Sequence, residues 1–195
     1  FSREQRQRYR EKVQACLDVF EDMLHAGHFR DDERNTGMEI ELNLVDERCQ
    51  PSFDNDEVLS AIANPEFQTE LARFNLEFNV PPGDIAGEEL LRLEDSLRAS
   101  LNAAERRCAE SGSHLLMTGI LATVREEHFR GAWMSNNTRY EALNDAVLAA
   151  RGEDIHLVID GPAGERLDAY ADSLAPESLC TSVQLHLLVG PSRFA

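Results

Sequence analysis

Apolar residues recur at three- and four-residue spacing from Tyr9 through Val13, Cys16, Leu17, Phe20, Met23 and Leu24, with Arg, Glu and Gln between them, which predicts an amphipathic helix over 3–27. The polar stretch 28–35 reads as a loop. The period then changes to two: Met38, Ile40, Leu42 and Leu44 alternate with Glu39, Glu41 and Asn43, the signature of a half-buried strand over 36–46. A turn over 46–51 leads to a short helix over 54–63, with Asp54 or Asn55 as its cap. The alternation returns over 74–80, where Phe74, Leu76, Phe78 and Val80 oppose Asn75, Glu77 and Asn79, and Pro81-Pro82 is expected to stop the strand.

A long helix is predicted over 87–111, its buried stripe made of Leu90, Leu93, Leu97, Leu101, Ala104 and Cys108 and its end marked by Gly112. A strand over 114–121 follows, then a helix from Asn137 or Thr138 to residue 151 with Tyr140, Leu143, Val147 and Leu148 inward, then a strand over 154–160. The last element is a strand over 181–189, with Val183, Leu185, Leu187 and Val189 on one side and Ser182, Gln184, His186 and Leu188 on the other. No repeat, low-complexity tract or Pro/Gly/Ser-rich linker divides the chain, so one domain over 1–195 is the expectation.

Composition narrows the function. Hydrophobic residues at 42% and charged residues at 28% are those of a folded globular chain. Thirty-six acids against nineteen bases give a formal charge of -17, which disfavours nucleic acid and anionic membrane surfaces as partners and leaves small charged ligands open. Cys16, Cys49, Cys108 and Cys180 are far apart and lack zinc spacing, so they read as reduced thiols, with Cys16 and Cys108 on apolar helical stripes. With no signal peptide and no membrane-length apolar run, a cytoplasmic protein is expected. Neither a GxGxxG nor a GxxxxGK[ST] loop is present.

The polar faces carry the candidate chemistry. Residues i and i+2 of a strand point the same way about 6.5–7 Å apart, so Glu39 and Glu41 are neighbours. If Glu77 comes from an adjacent strand, carboxylates about 4 Å apart repel by about 4 kcal/mol at an effective dielectric near 20. A proton or a bound cation relieves that repulsion, and an oxygen-rich site suits Mg²⁺ or Mn²⁺. His186 adds a nitrogen ligand or a phosphate contact, and Arg139 is a candidate to neutralise phosphoryl charge. Asn75, Asn79 and Gln184 on the same faces are candidates for binding substrate. The competing reading is a solvated sheet face, with Arg139 as a surface arginine and His114, His128 and His156 structural.

Several motifs resemble one family. The run from Gly37 to Asp46, GMEIELNLVD, is similar to the GxExE strand that opens the glutamate-cysteine ligases and related carboxylate-amine ligases. Glu70 and Glu77 resemble that family's second acidic pair, Asn137-Thr138-Arg139-Tyr140 its Arg-Tyr helix start, and Ser182-Val183-Gln184-Leu185-His186 its strand ending in a metal-proximal histidine. The resemblance implies an α+β, glutamine-synthetase-like fold, a curved antiparallel sheet with helices packed on its outer face. It also implies an ATP- and Mg²⁺-dependent ligase that joins a carboxylate, the γ-carboxylate of glutamate favoured, to an amine such as cysteine through an acyl-phosphate. Glu39, Glu41, Glu70, Glu77 and His186 would hold the metal and Arg139 would contact phosphate or substrate; a homo-oligomer is compatible with this. The family continues beyond its histidine strand, whereas this chain runs from Phe1 to Ala195, so it is expected to be the N-terminal part of a ligase domain and inactive alone. Gly119-Ile120-Leu121-Ala122 stands where some branches carry Gly-x-His-Pro, which points to a different substrate pocket. The alternative is a non-catalytic module that keeps the fold and binds a ligand or partner protein.

Overall fold

The computed structural model describes residues 2–29 and 35–194. Two units can be distinguished, one made of residues 1–36 with 187–195 and the other of residues 37–186.

The first unit is built on α1 (Arg3–His25). Its start is a capping box: Ser2 Oγ accepts from the Gln5 N–H at 3.1 Å while Gln5 Oε1 accepts from the Ser2 N–H at 2.8 Å. Gly27, at φ +66°, takes the left-handed conformation that ends the helix cheaply only in glycine. The amphipathic stripe is present as the spacing predicts, yet α1 buries no residue. Cys16, placed on that stripe, is exposed.

The second unit is organised by β1 (Thr36–Val45). One edge pairs with β3 (Asn75–Gly83), which in turn pairs antiparallel with β2 (Phe67–Thr69) in the register Phe67–Phe78, Gln68–Glu77, Thr69–Leu76. Along that edge Leu44 N–H donates to Phe74 C=O, while Gly37 lies beside Val80 and Pro82, so β1 and β3 run in opposite directions. β1 also pairs with β4 (His114–Leu116), antiparallel with Asn43 opposite Leu116, and with β7 (Val183–Leu187). Glu41 N–H donates to Ser182 C=O and Gly37 lies beside His186, so β7 too is antiparallel to β1.

One face of this sheet holds the core. Ile40, Leu42 and Leu44 of β1, Leu76 and Phe78 of β3 and Phe67 of β2 pack with Val58 of α2 (Asn55–Ile62) and with Ala104 and Cys108 of α3 (Glu89–Glu110). Phe67 and Phe78 stack with centroids 4.4 Å apart. Cys108 sits deep enough that burial, followed by the charges of Glu105 and Asp54, pushes its thiol up to about 12. The α3 stripe is buried only toward its C-terminal half: Leu97 and Leu101 pack on the core, while Leu90 is exposed. A second cluster gathers Val45, Leu71, Ala72, Phe74, Leu121, Trp133 and Ala175. Tyr140 from α4 (Thr138–Arg151) packs against it, and the Asn137 side chain caps α4 by accepting from the Arg139 N–H. Leu143, expected inward, is exposed.

Several sequence expectations are corrected. The proline pair does not stop β3, which continues to Gly83. Phe74 leaves the alternation because Asn75 N–H closes a turn onto Ala72 C=O, and its ring joins the second cluster. The predicted strand over 114–121 ends at Leu116; the following residues leave β1 and bridge Ile120 to Cys180, with Thr181 N–H donating to Gly119 C=O. β5 (Ile155–Asp160) forms a hairpin with β6 (Arg166–Ala171), a strand that its weak alternation concealed. On β7 the apolar side is uncovered, with Leu185 63% exposed. Asp54 stands at the cap position of α2 but makes no cap bond, its carboxylate accepting instead from Ser113 Oγ at 2.6 Å.

Asn55, fully buried, ties the unit together. Its Nδ2 donates to Ala72 C=O, to Asn75 C=O and to Ser135 Oγ. Replacing it removes these bonds, and although Ala72 C=O keeps the Asn75 N–H, a buried acceptor left without a donor costs about 1–3 kcal/mol. Asn55→Ala is therefore expected to lose about 2–3 kcal/mol of unfolding free energy, read as a lower urea midpoint at unchanged slope.

Candidate functional site

The second face of the sheet is polar, and its residues fall into rungs. The innermost is a buried amide ladder. Asn75 Nδ2 donates to Asn43 Oδ1 at 3.0 Å and Asn75 Oδ1 accepts from the Ala72 N–H at 3.2 Å. Both asparagines are fully buried, and Asn43 Nδ2 has no partner among the described residues. Asn75 was a candidate for binding substrate; with both ends of its amide engaged it builds the floor of the face instead.

The next rung is acidic. Antiparallel alignment with Asn43 beside Asn75 brings Glu77 opposite Glu41. Glu41 is held by the Ser182 N–H at 2.8 Å and by Gln184 Nε2 at 3.0 Å, and Glu77 by Asn79 Nδ2 at 2.6 Å. Gln184 and Asn79 therefore orient carboxylates here. The outer rung is Glu39, whose Oε1 lies 3.3 Å from His186 Nε2.

Glu70 enters from the turn that joins β2 to β3. The Leu71 N–H donates to its Oε1 at 2.9 Å. Burial first, and then the negative charges of Glu77 and Glu41 and a hydrogen bond shared with Glu77, push the Glu70 carboxyl up to about 7, against the lowering effect of the Leu71 N–H. Three carboxylates from three segments thus act on one another, and the repulsion is met near neutral pH by a proton.

Tyr140 was assigned to packing alone from its place on the α4 stripe. Its hydroxyl donates to Thr69 C=O at 2.8 Å, one residue before Glu70. Burial, then the charge of Glu70, raise its phenol above the ordinary value, with Glu77 adding to the rise and Arg139 opposing it. Arg139 is exposed at the start of α4, and its guanidinium has no partner among the described residues. No sequence signal marks Ser135, which supports the turn from the other side by donating from Oγ to Glu70 C=O and from N–H to Leu71 C=O.

The donor set of Glu39, Glu41, Glu70, Glu77 and His186 is rich in hard oxygen ligands, as a Mg²⁺ or Mn²⁺ site requires. Its arrangement is different. The carboxylates are held by protein donors, and among the described residues no group of three His, Cys, Asp or Glu side chains is placed to hold a metal ion. The four thiols are free, and among the described residues no helix is long and apolar enough to cross a membrane.

Compared with known proteins, the chain matches no family model, no curated protein and no solved structure.

Because the folded state holds the Glu70 proton more tightly than the unfolded chain, stability is fully present below the unfolded value near 4.5 and falls as pH rises toward about 7. Glu70→Gln, which keeps the acceptor for the Leu71 N–H, should be neutral at acidic pH. Above neutrality it should add about 1–2 kcal/mol, solvent screening included. Urea unfolding on both sides of the transition measures the difference.

Proposed function

We propose that this acidic face is part of the site of an ATP-dependent carboxylate-amine ligase of the glutamate-cysteine ligase type. The observation that supports this reading is that Glu39, Glu41, Glu77 and His186, drawn from three strands, share one face of one antiparallel sheet, and that Glu70 acts on Glu77 and Glu41 from the turn between β2 and β3. Arg139, whose guanidinium has no partner among the described residues, adds a positive charge that acts on the Tyr140 phenol.

In the proposed reaction a carboxylate oxygen, the γ-carboxylate of glutamate favoured, attacks the γ-phosphorus of ATP, and ADP leaves with the bonding electrons. An amine such as that of cysteine then attacks the acyl carbon, inorganic phosphate leaves, and the amine gives up a proton. A carboxyl titrating near neutrality suits that proton transfer, which assigns it to Glu70. Arg139 draws phosphoryl charge toward itself. The residues that would gather Mg²⁺ or Mn²⁺ are Glu41, Glu70 and Glu77 with Glu39 and His186, and the ion would supply further neutralisation of phosphate charge. Since these side chains do not assemble a shell as folded, no step is assigned to the metal. A cytoplasmic setting, small amino-acid substrates and a fold of the glutamine-synthetase type belong to the same proposal.

The second reading, a non-catalytic module that binds a ligand on this face, is favoured by the way Glu41 and Glu77 each accept hydrogen bonds from neighbouring protein groups.

The gene product carrying this chain, incubated with ATP, Mg²⁺, glutamate and a panel of amino acids, should release ADP and form a γ-glutamyl or related amide. Glu41→Gln and Glu77→Gln should each lower kcat by about 100-fold or more with the thermal unfolding midpoint nearly unchanged. ATP left intact across the panel, with binding of a panel member still detected by calorimetry, would select the non-catalytic module.

A further inference from the structure

Among the described residues the apolar stripe of α1 is left exposed, touched only where the Phe29 ring meets Phe20 edge-on at 5.5 Å between centroids. Tyr9, Val13, Cys16, Phe20 and Met23 advance by four, three, four and three residues, which is the spacing of a coiled-coil seam rather than of a helix laid on a sheet. Leu17 and Leu24 widen the stripe on one side. The helix buries none of these residues: Tyr9 is 68% exposed, Leu17 54% and Phe20 49%.

The charges along the same helix say which partner fits. Residues 3–13 hold Arg3, Arg6, Arg8, Arg10 and Lys12 against Glu4 and Glu11, whereas residues 14–25 hold Asp18, Glu21 and Asp22 and neither Lys nor Arg. This is the reverse of what a solitary helix favours, because the macrodipole is positive at the N-terminus and negative at the C-terminus. The distribution opposes the helix's own field. Laid antiparallel on an identical helix, each basic half meets an acidic half, and each N-terminus lies beside a C-terminus. The match is one of halves within a screening length, not of particular ion pairs. An anionic membrane fits less well, since the acidic half would face like charge.

We propose that α1 pairs antiparallel with α1 of a second copy of this chain, with Val13, Cys16 and Phe20 at the centre of the seam.

The test is sedimentation of the 195-residue chain over a wide concentration range. The wild type should form a dimer that weakens as salt rises. Phe20→Glu should raise the dimer Kd by about 30-fold or more with circular dichroism unchanged, as expected where α1 buries nothing. The triple change Asp18→Lys, Glu21→Lys, Asp22→Lys should abolish self-association, as should Arg6→Glu, Arg10→Glu, Lys12→Glu, while a mixture of the two variants should associate. Spin labels at position 3 of one copy and position 25 of the other should be closer than two labels at position 3. A wild-type chain that stays monomeric, whether or not it binds anionic vesicles, overturns the proposal. So does a dimer unaffected by Phe20→Glu, or one in which like ends lie together.

Discussion

The turn from Glu70 to Asn75 is the constraint on which the polar face depends. It carries backbone groups into a buried region where water cannot reach them, so each must find a partner inside the protein. Glu70 C=O and Leu71 C=O accept from Ser135, Ala72 N–H donates to Asn75 Oδ1, and Ala72 C=O accepts from Asn55 Nδ2. Arg73 N–H donates to Trp133 C=O and its own C=O accepts from Asn55 N–H. Side chains and loops remote in sequence thus satisfy almost every atom of a segment with no regular structure. Such a network is stable only when complete, and it leaves the direction of Glu70 little freedom.

That rigidity explains how an acidic cluster survives in a chain already strongly negative. A sheet face of free carboxylates would turn to water and separate them. Here Glu41 is tied to the β7 backbone and to Gln184, Glu77 to Asn79, and Glu70 to its neighbouring N–H. Burial first, and then the repulsion that remains, raise the affinity of Glu70 for a proton. Directly inward, the amide ladder of Asn43 and Asn75 separates this charged zone from the apolar cluster around Phe74 and Trp133. Neutral amides tolerate burial where carboxylates would not.

The same sheet is unevenly covered. Beneath β1 and β3 the helices α2 and α3 exclude water, and the side chains are as buried as in any domain core. β7 is open on its apolar side, and the β5–β6 hairpin leaves Ile159, Leu167 and Tyr170 exposed. Local order there rests on backbone pairing and on short contacts such as the stacking of His156 on Tyr170 and the bond from His156 to Asp168, which with Arg166 lowers the Asp168 carboxyl.

Alternation and spacing were enough to locate α1, β1, β3, α3, α4 and β5 to within a few residues, and to assign Ile40, Leu42, Leu76 and Phe78 to the core, because local periodicity is a direct consequence of one-sided burial. They also put Glu39 with Glu41 and Asn75 with Glu77 on polar faces. Which strands meet is not a local property, and only the tertiary structure decided that Glu41 stands opposite Glu77, that Glu70 swings in from a turn, and that the Asn75 amide bonds to Asn43 and to the Ala72 N–H. The bonds that Tyr140, Ser135 and Asn55 make to backbone remote in sequence left no trace in the pattern, which marked Tyr140 only as an inward residue and Asn55 only as a possible cap. The sequence alone determined the charge types on the face; the fold determined which of them stand together, because strand pairing and the course of a turn depend on contacts remote in sequence.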